Sequence, residues 1–553
     1  MKRRSRNSPF APTPNLRAKK ATLLFLTFGL LLTACQSVPP LTPSASAAPS
    51  PTPTPFQPAA PEPITLWVSD AVPDRLHEAA LSLEIPLADD ASFATFRLDV
   101  SNAATASVWT YALVAPFPTI ADGISGADLR EIWNGNAPGP WAGSSLWMAE
   151  STKMAFTAKW GAASSGSVRT ASSADLLQLA WEEGNALAII PFEEIQPRWK
   201  ALPIDGQSPL HNDFISENYP LNLTFGWMCD APCAAPALPA LNRDPHKLTV
   251  LMLTGVTALA RTTAYKMETK GLTYPAQDVG DWLRAADITH LSSEVSFAED
   301  CPPPDPYNTS MRFCSNPRYI EFFEYLGVDV VEATGNHLLD WGKDAARLTF
   351  DIYDEAGLPY YGGGRNLADA REPAFLEHNG HQFAFVGCNI VGPDYDWADE
   401  DSPGALPCDM DAMAETVRAL RADGCLPIVT LQYYEYYSPE IRPSQGRDFR
   451  AMVDAGAVIV SGSQAHFPQA KEFYGDAFID YGLGNLFFDQ MDQPVKGTRR
   501  EFIDRHIFYD GRYIGAELLT ALLMDYARPV PMTDEARAEF LTDIFEASGW
   551  LEP

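Results

Sequence analysis

The chain has 553 residues, 46% of them hydrophobic and 20% charged, with 40 Lys and Arg against 71 Asp and Glu and a formal net charge of −31. That length amounts to roughly three to four domain equivalents. So acidic a chain excludes nucleic acid as a partner, because phosphate binding needs Lys and Arg to displace counterions. A membrane-spanning bundle is excluded as well, since only one apolar run is long enough to raise the question.

The charge is uneven, with seven basic side chains and no acid in residues 1–20. The basic stretch ends in Lys19-Lys20, and an apolar run from Ala21 to Ala34 stops at Cys35. A charged segment followed by an apolar run too short to span a bilayer is the pattern of an export signal, here residues 1–35. Leu32-Thr33-Ala34-Cys35 resembles the lipobox of bacterial lipoproteins. The resemblance implies cleavage before Cys35, lipidation of its sulfur, and an exported protein anchored to the outer face of the cell membrane. Residues 36–63 hold ten prolines in 28 positions. Such a segment cannot bury enough apolar surface to order itself, and it reads as an extended, disordered tether. Seven cysteines follow Cys35, an odd count that leaves at least one thiol free. Cys229/Cys233 and Cys301/Cys314 are close enough in sequence to close loops by disulfides.

Two folded regions are expected. In residues 64–240, strand-like runs at Ile64–Val68, Ser107–Ala115 and Ala186–Pro191 alternate with helical stretches near Arg75–Leu83 and from Ile124 to an Asn134-Gly135 stop. This rhythm predicts a small α/β domain. The phrase from Ile124 to Gly135, with Trp141 soon after and Ile189-Ile190-Pro191-Phe192 later, resembles periplasmic substrate-binding proteins of the phosphate-binding type. It singles out no ligand residue. In residues 248–525, predicted strands at Leu248–Gly255, Ile288–Glu294, Val328–Ala333, Phe383–Gly387, Ile428–Tyr434, Ala457–Gly462 and Phe478–Gly484 are separated by helical stretches. That is a layered α/β fold. The tail, 526–553, carries a predicted helix from Thr533 to Ala547 that packs on the second region.

Polar residues collect at the ends of these strands. Glu294, Asn336-His337, Asp340, Gln432, Glu435, His466 and Asn485 all fall at or just after a strand C-terminus, the edge at which open α/β sheets bind ligands. Carboxylate, carboxamide and imidazole gathered there suit a divalent cation acting on an oxyanion. Taken singly, Asn336 or Asp340 could instead cap a helix.

The order of the phrases resembles the CapA family of poly-γ-glutamate capsule biosynthesis proteins, which implies a calcineurin-like metallophosphatase fold. Gly335-Asn336-His337 with Asp340-Trp341-Gly342 matches its "NNHxxDxG" signature. Gly462-Ser463-Gln464-Ala465-His466 stands where the family has "GHHPH", and Tyr481-Gly482-Leu483-Gly484-Asn485 opens a close match to "YSLGNFxFDQ". The departures matter as much. Val256 follows Gly255 where the family has an aspartate, Gln432 precedes the Glu435-Tyr436 pair where a histidine is expected, and Gln464 replaces the middle histidine. Neutral side chains cannot hold two dications about 4 Å apart. By this resemblance Glu294, Asn336, His337 and His466 hold one divalent metal (Mn, Mg or Zn) or none, and Asp340, Gln432, Gln464 and Asn485 line the cleft. Three functions remain open. The first is a surface lipoprotein in capsule or poly-γ-glutamate biosynthesis, partnered by the envelope polymer or its synthesis machinery. The second is a metal-dependent hydrolase of phosphoesters or peptidoglycan peptides, with Glu294 or Glu435 as base and His337 as acid or ligand. The third is a solute-binding lipoprotein.

Overall fold

Alternation along the strands builds the layers of the second region. In Leu248–Thr254, Leu251 and Leu253 face one way and Met252 the other, as a two-residue period requires. Leu251 and Leu253 join Phe383, Phe385, Ile428, Ile459 and Phe478 in a core between two sheets. Met252, Leu291, Val331 and Ile503 pack instead under the helices Arg261–Lys270, Ile320–Leu326 and Lys343–Ala356. The opposite sheet turns Val386, Val429, Leu431 and Val460 toward the helices Met410–Ala422 and Pro443–Ala455. The result is a four-layer sandwich, helix on sheet on sheet on helix, and the α/β class expected from the strand–helix rhythm is the one observed. This computed structural model describes residues 64–551 apart from 102–105 and 230–233. The signal segment, Cys35, the Pro-rich tether and Cys233 lie outside the described residues.

One sheet runs in the order Tyr360–Tyr361, Val330–Glu332, Ile288–Ser293, Leu248–Thr254, Arg500–Tyr509, Arg512–Met524, Arg528–Pro531. Its first four strands are parallel, and Leu248–Thr254 pairs antiparallel with Arg500–Tyr509 on its other side. Leu248–Thr254 is therefore the seam between a parallel and an antiparallel half. The other sheet runs Ala374–His378, His381–Asn389, Leu426–Gln432, Ile459–Ser463, Ala477–Asp480, Lys471–Tyr474, with its four central strands parallel.

Strands between residues 66 and 228 form a separate sheet, centred on Ser107–Pro116. It is joined to the second region through shared cores. Ala112, Ala188 and Phe192 pack with Ile507, Tyr509 and Ile514, and Phe117 meets Phe473, Phe545 and Trp550 edge-on. The helix Asp534–Ala547, capped by the Thr533 hydroxyl, thus packs against both regions. Among the described residues no helix is long and apolar enough to cross a membrane.

Disulfides join Cys301 to Cys314 and Cys388 to Cys408, Cys229 is also disulfide-bonded, and Cys425 is free and buried.

Candidate functional site

The C-terminal ends of the parallel strands from both sheets meet at one edge. Two glycines allow the close approach. A Cβ on Gly255 would lie 2.3 Å from the Gly484 carbonyl oxygen, and one on Gly335 would lie 2.6 Å from that of Glu294. Any larger residue at either position would wedge the strand ends apart. Contacts across the sheets close the edge: Ser463 donates to Glu332 at 2.8 Å, Asn389 to the Thr334 carbonyl at 2.8 Å, and Gln432 to Asn336 at 3.2 Å.

Most of the residues singled out in the sequence come together here. Glu294, Asp340, Gln432, Gln464, His466 and Asn485 are buried, and His337 and Asn336 are partly so. His466 Nδ1 lies 2.7 Å from Asn485 Oδ1, which presents the other ring nitrogen, Nε2, 3.7 Å from Glu294 Oε1. His337 Nδ1 lies 2.7 Å from Asp340 Oδ2, and that carboxylate also accepts the Phe313 amide at 2.8 Å. Neither Asn336 nor Asp340 caps a helix, since the next helix starts at Lys343 behind Gly342. Burial works against the His337 imidazolium, but the Asp340 hydrogen bond and the charges of Glu294, Asp340 and Asp396 outweigh it and raise the His337 pKa. Gln464 and His466 both have left-handed backbone, φ +75° and +47°. For non-glycine residues this costs on the order of 1–3 kcal/mol each and collects at functional loops.

Glu294 stands out. Both of its carboxylate oxygens are fully buried and neither has a hydrogen-bond partner. Buried polar atoms are almost always paired, so a pair of open acceptors beside a histidine is a place built to receive a donor. Glu435 stands apart from this group: it is exposed, and its carboxylate accepts the Tyr437 hydroxyl. Tyr433, two residues earlier, turns into the core against Phe449.

Two acids of the site were not read from the sequence. Glu332 ends a buried strand, 3.6 Å from His290. Burial opposes its charge, but His290 and the Thr334 and Ser463 hydroxyls hold its pKa below the ordinary value. A carboxylate following Val330-Val331 just ahead of the Gly335-Asn336-His337 phrase was the available signal. Asp396, in the loop after His381–Asn389, accepts the Leu339 amide at 2.7 Å and leaves its other oxygen without a partner. Burial and the neighbouring Asp340 push its carboxyl up to about 7. Nothing in the surrounding Asp-Tyr-Asp-Trp phrase marks it.

The donor set does not fit a two-metal centre. Among the described residues, no group of three or more His, Cys, Asp or Glu side chains could hold an ion. Gln432 is hydrogen-bonded to Gln464 and Asn336, so neutral amides close on one another where a second cation would need charge. Val256, buried at the end of Leu248–Thr254, supplies no ligand at all.

Residues 250–490 match the family model described as "Bacterial capsule synthesis protein PGA_cap". Over these residues the chain is similar to the capsule synthesis proteins of that family. Among curated relatives, the "Capsule biosynthesis protein CapA" of Bacillus anthracis is 26% identical over 257 residues, covering 46% of this chain and 62% of that protein. The "PGA biosynthesis protein CapA" of Bacillus subtilis (strain 168) is 25% identical over 226 residues, covering 40% and 59%. The chain thus spans about three-fifths of the length of the CapA relatives it matches. Among solved structures, a 5'-nucleotidase precursor from Thermus thermophilus aligns with TM-score 0.30 and 14% identity over 54% of this chain and 58% of that one. An ABC-type phosphate transport receptor from Vibrio cholerae aligns with TM-score 0.26 and 14% identity over 31% of this chain and 88% of that one.

Proposed function

We propose that the chain acts at the cell envelope in capsule or poly-γ-glutamate biosynthesis, where its strand-end cleft binds the polymer or the machinery that makes it. The observation that carries this reading is the family match over 250–490, which encloses every cleft residue from Glu294 to Asn485. The paired amides of Gln432 and Gln464 favour binding over two-metal turnover. In this reading Cys35 bears a lipid anchor and residues 36–63 hold the folded part away from the membrane.

The test is deletion of the gene in its native host, with cell-bound polymer measured by glutamate and sugar content. Loss of polymer, restored by the full chain and not by Cys35→Ser, is expected. Unchanged polymer contradicts the reading.

One observation favours a hydrolase as the second reading. The open Glu294 carboxylate, 3.7 Å from the His466 ring nitrogen, is placed as a general base would be. Phosphodiesterase or muropeptidase activity that appears with added Mn²⁺ and vanishes in Glu294→Gln would put that reading first.

A further inference from the structure

A chain of buried polar side chains runs from the core to the cleft. Glu332, Thr334, Ser463, Gln432 and Gln464 are all buried, so they settle their protons among themselves. One oxygen of Glu332 receives the Thr334 hydroxyl at 2.5 Å and the Ser463 hydroxyl at 2.8 Å, and the other faces the His290 ring at 3.6 Å. Burial works against the charge, but these three partners outweigh it and favour the carboxylate over the acid.

Ser463 has a second oxygen beside it. Gln432 Oε1 lies 3.0 Å from Ser463 Oγ, while Gln432 Nε2 faces Asn336 Oδ1 at 3.2 Å and Gln464 Oε1. A hydroxyl has one proton to give. Glu332 takes it, because a hydrogen bond to a charged acceptor is the stronger of the two. Gln432 Oε1 is then left against a hydroxyl oxygen with no proton between them. Turning the carboxamide over removes the conflict and keeps its outline, since oxygen and nitrogen are told apart only by their partners. Nε2 then donates to Ser463 Oγ, and Oε1 faces Asn336 and Gln464. Those two must turn as well, to meet an oxygen with N–H. Both are free to do so, because neither makes another side-chain hydrogen bond among the described residues.

We infer that Glu332 is a positioning residue for the cleft: acting through Ser463, it turns the carboxamides of Gln432, Asn336 and Gln464 together, so that Asn336 and Gln464 are left with an oxygen, and not an NH2 group, to offer a ligand. Both oxygens of Glu294 are open as well. The cleft is then a surface of acceptors. It fits the N–H or ammonium side of a ligand and is closed to a bare carboxylate or phosphate oxygen, which would meet only lone pairs. The ligand half of this inference rests on the reading of the cleft as the binding site given above.

Neutron diffraction from crystals of the full chain exchanged into D2O reads the orientation directly, because deuterium marks the nitrogen of each carboxamide. Deuterons on the Gln432 atom that faces Ser463 are expected, and deuterons on the atom that faces Asn336 overturn the inference. Two variants carry the test into the cell. Glu332→Gln removes the charge, and its NH2 can donate to Ser463, whose proton then passes to Gln432 and reverses the carboxamides. Cell-bound polymer should fall to the level of the gene deletion while the protein stays at its normal amount. Adding Gln432→Glu moves the charge one step along the relay, makes Asn336 and Gln464 donate inward again, and should restore polymer. Full polymer in the single variant, or a double variant no better than the single one, overturns the positioning role and leaves the envelope reading standing. The envelope reading itself fails only if the deletion leaves polymer unchanged, and the neutron result tests Glu332 in either case.

Discussion

Two clusters of buried charge in the same sandwich are handled in opposite ways. In one, Lys471 is fully enclosed, bonded to Asp480 and 3.2 Å from Asp504, with the Phe502 ring 4.0 Å from its ammonium. One ammonium there serves two carboxyl groups, and burial, with Asp480 close by, pushes the Asp504 carboxyl well above its ordinary range. In the other, at the strand ends, Glu294 is equally buried but both of its oxygens are open. Glu501 shows a third case, since burial pushes its carboxyl well above the ordinary range against the opposing charge of Arg499. The closed cluster holds the fold together. The two oxygens of Glu501 are unpaired as well, so what marks the cleft as functional is that the open Glu294 carboxylate faces the His466 ring nitrogen at 3.7 Å among the other polar strand-end side chains.

Breaking the closed cluster should have the largest effect. Lys471→Met leaves Asp480 and Asp504 facing each other without a cation and should cost about 3–5 kcal/mol, read from urea unfolding. If the loss is below about 1 kcal/mol, the cluster is not what holds this part of the fold together. Next comes the join between the regions, where Glu517 bonds His211 of the first and lies 2.7 Å from Arg505 of the second. Burial opposes its charge, but His211 and Arg505 outweigh it and bring its pKa down to about 2. A depressed carboxylate contributes stability above its unfolded pKa and loses it as pH falls through the folded one. Stability should therefore drop between about pH 4.5 and 2, on the order of 2 kcal/mol, and Glu517→Gln should flatten that part of the acid limb. Glu294→Gln should act in the opposite direction to Lys471→Met. Replacing an open buried carboxylate by an amide should leave stability unchanged or raise it by about 1 kcal/mol, seen as an equal or higher Tm. Smallest of all, Glu435→Gln should shift stability by less than about 0.5 kcal/mol and leave cell-bound polymer unchanged, because Glu435 is exposed and outside the cleft.

The strands of the sandwich were legible because their apolar runs are buried on both faces and leave little else for them to be. The hairpin Arg500–Met524 was not. Glu501, Asp504, Arg505 and His506 make its first strand look like surface, yet Glu501, Asp504 and His506 are fully buried. The cleft was legible where residues sit in dense phrases, as at Asn336-His337 and His466. It was not where a single acid ends a strand without a phrase around it, as with Glu332, or enters from a neighbouring loop, as with Asp396. Glu435 was placed by its neighbour Tyr436, but the inward turn of Tyr433 ends the strand's side-chain alternation and leaves Glu435 in solvent. The union of the two regions depends on Phe117 reaching Phe473 and Trp550, contacts between residues hundreds of positions apart that no local pattern announces.

Glu294 provides the most direct test of the account. A strain carrying Glu294→Gln in place of the wild-type gene should contain the protein at normal level, with a Tm equal to or above that of wild type, and lose cell-bound polymer as the deletion does. Full polymer in that strain would contradict the account, because the open carboxylate would then be a defect of packing and not the centre of the site.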